Sequence, residues 1–177
     1  MRLFIAVNFD ENIKNELWEI SRDFQQYTSQ GNFTHRENFH LTLVFLGEVT
    51  PERVQDIQQA MAEVTVKPFL LTMGGLGCFR RRNGDIYWIG VELNDHLVEL
   101  YRQLFDSLTR KGFVLENRKY KPHLTLGRHI KLAGDFDLES LPVATKPLSQ
   151  KVSKISLMLS ERIEGRLTYT EIHTKVL

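Results

Sequence analysis

His40-Leu41-Thr42-Leu43 recurs, letter for letter, as His123-Leu124-Thr125-Leu126, 83 positions further along the chain. In an extended strand consecutive side chains point to opposite faces. Each copy therefore sets a His and a Thr side by side on one face and two Leu on the other. The Leu face can enter a core. The other face then offers an imidazole and a hydroxyl on a rigid element. Two identical copies in a chain of 177 residues predict two halves, each contributing one His to a shared site.

Working outward, the apolar run Leu3–Phe9 predicts a buried strand that ends at Asp10. Asp10 caps a helix with Ile13, Leu17, Ile20 and Phe24 on one stripe. The polar stretch Ser29–Asn38 predicts a loop, and Phe39–Leu46 the first motif strand. Thr50-Pro51-Glu52 supplies a cap, a first-turn proline and an acid near the positive end, so a helix with Val54, Ile57, Met61 and Val64 inward should follow. Phe69–Phe79 predicts a strand bulged at its glycines. Asn83-Gly84 turns it back into Ile86–Leu93. Asn94-Asp95 caps a helix carrying Leu97, Leu100, Tyr101, Leu104, Phe105 and Leu108, stopped at Gly112. Tyr120–Ile130 is the second motif strand, 133–147 reads as irregular, and Lys151–Ser160 and Arg166–Val176 are two strands joined around Gly165.

This order repeats. Strand, Asp10, helix, loop and His40 strand resemble strand, Asp95, helix, loop and His123 strand. The expected class is α+β: two pseudo-symmetric lobes around a central cleft, each a mainly antiparallel sheet with outer helices. Residues 1–177 are expected to form one bilobal domain with one His-x-Thr-x motif per lobe.

Hydrophobic content of 42%, charged content of 25% and a net charge of +1 are ordinary for a globular chain, and give no global attraction to nucleic acid. The single cysteine, Cys78, excludes an intramolecular disulfide. The N-terminal apolar run is too short for a signal peptide or a membrane span. A cytoplasmic protein without membrane association is expected.

Two facing imidazoles can divide acid and base roles near neutral pH. Such a pair suits in-line displacement at phosphorus, with attack on one side and departure on the other. A zinc site would need three or four clustered ligands, and the chain has neither HExxH nor CxxC. No metal or other cofactor is therefore expected. Cys78 has no neighbour in sequence that would lower its pKa. Gly74-Gly75-Leu76-Gly77 lacks the Lys-Ser/Thr of a phosphate loop. His35, His96, His129 and His173 read as structural, and Arg80-Arg81-Arg82 as a solvated turn, with contact to an RNA backbone as the alternative.

The segments MRLFIAVNF, ENFHLTLVFLGEV and YKPHLTLGR together resemble the RNA 2′,3′-cyclic phosphodiesterases of the 2H phosphoesterase superfamily, historically called 2′-5′ RNA ligases. The resemblance spans nearly the whole chain. It implies the bilobal LigT-like fold and metal-independent opening of a terminal 2′,3′-cyclic phosphate on RNA, leaving a 2′-phosphate. The implied partners are RNA with a cyclic phosphate end or nucleotide 2′,3′-cyclic phosphates, and a monomer is expected. Carried onto this chain, His40 is the proton donor to the departing 3′ oxygen and His123 the proton acceptor that activates water. Thr42 and Thr125 bind the phosphate. Joining a cyclic end to a 5′-hydroxyl is the reverse reaction.

Arg128 is a further candidate contact, reaching the cleft only if its strand bends or ends at Gly127. Phe45 shares the parity of the Leu face and is assigned to the core. Phe33, Tyr120 and Tyr169 are candidates for base stacking. Two alternatives stay open: a non-catalytic module that binds nucleotides or RNA ends, and the same chemistry on a small cyclic nucleotide.

Overall fold

The computed structural model describes residues 1–116, 119–134 and 146–177. Strands β1 (Arg2–Asn8), β3 (His40–Glu48), β8 (Lys154–Ile163) and β9 (Arg166–Val176) form one sheet in the order β3-β1-β8-β9. Strands β2 (Thr28–Phe33), β4 (Phe69–Phe79), β5 (Asp85–Val91), β6 (His123–Leu132) and β7 (Leu148–Val152) form the other, in the order β2-β6-β5-β4-β7. All pairings among the described residues are antiparallel. With β2 set aside the orders match: β3 corresponds to β6, β1 to β5, β8 to β4 and β9 to β7. Each motif strand lies beside the strand that precedes its helix, so the α+β class and the internal repeat are both present.

The helices start where the side chains can satisfy free N–H groups. Asp10 accepts from the Ile13 N–H at 2.9 Å to open α1 (Glu11–Gln25), and Asn94 accepts from the Leu97 N–H at 2.9 Å to open α3 (Asp95–Arg110). Helix α2 (Val54–Ala62) begins later than the cap signal suggests. Pro51–Arg53 is a 3-10 turn, and the Thr50 side chain makes no capping bond to it.

The helices exchange places relative to the sequence halves. Helix α1 packs on the five-stranded sheet, against β2 and β7, with the Phe24 ring 4.8 Å from Tyr87 and 6.2 Å from Phe33. Helix α3 packs on β3, and α2 packs on α3 and β9. Each sheet is thus covered by helix from the other repeat, and one buried cluster runs through both, from Leu3, Ile5 and Leu41 to Tyr87, Ile89 and Leu124.

Two expected boundaries change. Ser29–Phe33, within the polar stretch read as loop, belongs with Thr28 to a strand that pairs with β6 at the sheet edge. Its backbone pairing, without an apolar face, makes it a strand, so hydrophobic alternation could not reveal it. The expected strand Lys151–Ser160 divides at Ser153. Residues before it complete the five-stranded sheet beside β4; residues after it enter the other sheet between β1 and β9. An unbroken pattern of alternation carries no mark of a change of sheet. Of the irregular stretch at 133–147, residues 135–145 lie outside the described residues.

Leu41 is fully buried on the reverse face of the first motif strand. Leu41→Ala is expected to lower the unfolding free energy by about 3 kcal/mol, read as a lower urea midpoint at unchanged slope.

Candidate active site

The two motifs fold as their alternation demands. Leu41, Leu43, Leu124 and Leu126 are buried. His40, Thr42, His123 and Thr125 are half-buried and line one cleft of about 1420 Å³. Strands β3 and β6 approach each other at this cleft. One bond ties β3 to the segment entering β6, and a second holds the segment leaving β2 against β6. The Tyr120 hydroxyl donates to the Thr42 carbonyl at 3.2 Å, and the Thr34 hydroxyl donates to the Thr125 carbonyl at 2.7 Å.

Each imidazole is held in the same way. His40 Nδ1 lies 2.7 Å from the Asn38 carbonyl and His123 Nδ1 lies 2.8 Å from the Lys121 carbonyl, in each case two residues back. A carbonyl only accepts, so each Nδ1 carries a proton. When the ring is neutral, Nε2 is then its basic nitrogen. His40 Nε2 is 3.0 Å from the Thr42 hydroxyl, which donates to the neutral ring.

The rings sit in matching aromatic cradles. Phe4 lies tilted at 4.8 Å from His40 and Tyr169 edge-on at 5.1 Å. Trp88 lies tilted at 6.0 Å from His123 and Phe79 edge-on at 5.0 Å.

Burial lowers the His40 pKa to about 4, with the positive charge of Arg128 and the nearby His123 acting in the same direction and the Asn38 carbonyl opposing. In the free protein His40 is therefore neutral at pH 7. The rest of the cleft is basic, with Arg2, Arg128, Arg162 and Arg166 along its walls against Glu48 and Glu161. Among the described residues no group of three or more His, Cys, Asp or Glu could hold a metal ion.

The structure brings all five predicted residues to one cleft. Arg128 reaches it because β6 bulges just before it: Thr125 faces Trp88 and Gly127 faces Tyr87, so Leu126 is an extra residue and the parity inverts. A second irregularity follows, with Ile130 facing Asp85 and His129 at a φ of 56°. Arg128 and His129 are then both exposed, the bend that its parity required.

Phe45 is a correction. In β3, Ala6 faces Thr42 and Ile5 faces Val44, so Leu43 is the extra residue of a bulge and the parity inverts after it. Leu43 and Val44 are both buried, whereas Phe45 is 48% exposed and lines the cleft, with the Arg2 guanidinium 5.0 Å from its ring.

Of the three candidate stackers, Phe33 and Tyr169 line the cleft. Tyr120 does not: it stacks on Tyr101 at 4.2 Å, and its hydroxyl is the tie to Thr42. His35 and His129 also line the cleft, whereas His96 stacks on Phe69 and His173 sits in β9. Burial pushes the Cys78 thiol up, away from the thiolate. The features that sequence reasoning missed are the two carbonyls on Nδ1 and the cradles. A backbone carbonyl has no letter in the sequence, and the cradle rings come from four separate strands.

A two-sheet α+β chain with paired His-x-Thr-x strands on one cleft is a LigT-like phosphoesterase of the 2H superfamily. The comparisons with known proteins agree. A family model described as LigT like Phosphoesterase matches residues 7–88. An RNA 2′,3′-cyclic phosphodiesterase of Thermotoga maritima is 34% identical over 154 residues, covering 81% of this chain and 82% of its own. One from Methanocaldococcus jannaschii is 36% identical over 130 residues, covering 72% of this chain and 71% of its own. The crystal structure of E. coli LigT complexed with 3′-AMP superposes with a TM-score of 0.83 at 26% identity, over 99% of this chain and 97% of that one. The chain belongs to the RNA 2′,3′-cyclic phosphodiesterase family.

Because the folded pKa of His40 is depressed from 6.5 to about 4, the unfolded chain binds more protons between those values. Stability is expected to fall as the pH drops through that window, and His40→Asn should lose this part of the acid sensitivity in urea unfolding at stepped pH. Tyr120→Phe removes the tie between the motif strands. It should lower kcat about tenfold with little change in KM, consistent with misalignment of the two Nε2 atoms.

Proposed function

We propose that this protein opens the terminal 2′,3′-cyclic phosphate of RNA to a 2′-phosphate, without a metal, by acid–base catalysis between His40 and His123. The observation that carries this reading is that both imidazoles line one basic cleft with Nδ1 tied to backbone, so that Nε2 is the nitrogen through which each ring would exchange a proton with a phosphoryl group.

In this reaction His123 Nε2 takes a proton from water as its oxygen attacks phosphorus. The bond from phosphorus to O3′ breaks on the far side, and His40 Nε2 gives its proton to O3′. The Thr42 and Thr125 hydroxyls and the Arg128 guanidinium donate to the non-bridging oxygens, where charge accumulates. His40 must first gain a proton. The phosphodiester anion favours this, since a negative charge beside an imidazole raises its pKa. Substrate binding and His40 protonation are therefore coupled. With a 5′-hydroxyl in place of water the same steps form a 2′-5′ linkage. We place this activity in one bilobal, monomeric, cytoplasmic protein.

The test is an oligonucleotide with a 2′,3′-cyclic phosphate end, incubated in chelator, with the product phosphate located. A 2′-phosphate is expected; a 3′-phosphate would contradict the role given to His40. His40→Ala and His123→Ala should each lower kcat/KM at least about a hundredfold with the fold intact. In NMR titrations, added phosphate should raise the His40 pKa from its value near 4. An unmoved value would separate His40 from the phosphate site.

A further inference from the structure

The four-stranded sheet runs β3-β1-β8-β9, so β3 and β9 are its two edges. Asn38 closes the 3-10 turn Arg36–Asn38 that leads into β3, two residues before His40. Its side-chain amide nevertheless donates to the Leu167 carbonyl of β9 at 2.8 Å. The Glu37 carboxylate meets the Arg166 guanidinium, also of β9, at 2.8 Å. Two consecutive side chains at the entry to one edge strand thus reach the other edge, and the sheet curls to let them. The rings follow the same curl: Tyr169 of β9 lies 5.1 Å from His40 and 5.0 Å from Phe4.

The two links differ in weight. Glu37 and Arg166 are exposed, and an exposed ion pair holds little. Asn38 is only 7% exposed, so without the Leu167 carbonyl a buried donor would go unmet. Its backbone is held as well. The Asn38 N–H donates to the His35 carbonyl at 2.9 Å, and the Asn38 carbonyl accepts from His40 Nδ1 at 2.7 Å. The second motif reaches the same end by another route. Lys121 precedes Pro122, whose ring restricts the backbone before it, and its side chain lies over Phe79 and Trp88 instead. Asn38 precedes Phe39, which imposes no such restriction.

We infer that Asn38 is a positioning residue for His40: by bonding across the two edges of the sheet, its side chain fixes the carbonyl that keeps one ring proton on Nδ1. The bearing of this on catalysis rests on the acid role proposed above for His40; the state of the ring does not. In the acid step both ring nitrogens carry protons. The carbonyl retains the one on Nδ1, so the one on Nε2 is given to O3′. A carbonyl able to swing away would let the ring keep either proton, and half of its encounters would be unproductive.

The first measurement uses the unaltered protein. Nitrogen-15 NMR at pH 7, with the His40 signals identified by their loss in His40→Asn, should show a neutral ring protonated on Nδ1. A ring protonated on Nε2 would overturn the assignment. Asn38→Leu keeps the volume and removes the amide. It should bring both ring forms into view and lower kcat on a 2′,3′-cyclic end about tenfold, with KM changed less than about twofold. Asn38→Ala, which asks less of the packing, gives the same reading if the leucine variant does not fold. Lower stability with the ring form and kcat unchanged would make Asn38 a structural residue only and sink the proposal. Wild-type protein that leaves the cyclic end intact would instead strike the underlying reaction, while the ring spectra of wild type and variant would still decide the role of Asn38.

Discussion

The site depends on one constraint: a strand that buries alternate residues must turn the others the opposite way. Leu41 and Leu43, and again Leu124 and Leu126, give up their exposure to the core. Burial of four leucines is worth several kcal/mol on transfer scales, far more than any contact the imidazoles make. The histidines are therefore aimed by the hydrophobic effect acting on their neighbours. The carbonyls of Asn38 and Lys121 then settle which ring nitrogen faces the cleft.

Both motif strands lose their alternation just after the motif. In β3 the extra residue brings Phe45 to the cleft, and in β6 the bulge brings Arg128 there. Such irregularities re-aim side chains without moving the strand that carries them. The cleft thus gains a ring and a cation that a regular strand would have sent elsewhere, while the two histidines keep their places on the regular part.

The pseudo-symmetry of the sheets is close at the rings and broken two places before each His, where Asn38 is buried and Lys121 exposed. Each His has one tilted and one edge-on aromatic neighbour. Burial and positive charge keep the His40 ring neutral. Lys121 and Arg81 surround the cradle of the other. An exactly symmetric pair could not distinguish the entering group from the departing one. The proposed direction of proton flow requires such a difference, and it resides in the residues around the motifs.

The sequence by itself determined the motif faces, the caps at Asp10 and Asn94, the hairpin from β4 to β5, and the α+β class, because each of these depends on neighbours within a few residues. It also carried the resemblance that the relatives bear out. Tertiary structure decided the rest. Thr28–Phe33 became a strand only through hydrogen bonds to β6, and Ser153 became a boundary only because two sheets compete for its flanks. Phe45 and Arg128 reached the cleft through the register of partner strands, and the helices exchanged sheets. Pairing register and the choice of covering helix are set by residues far away in the chain, so no local pattern records them.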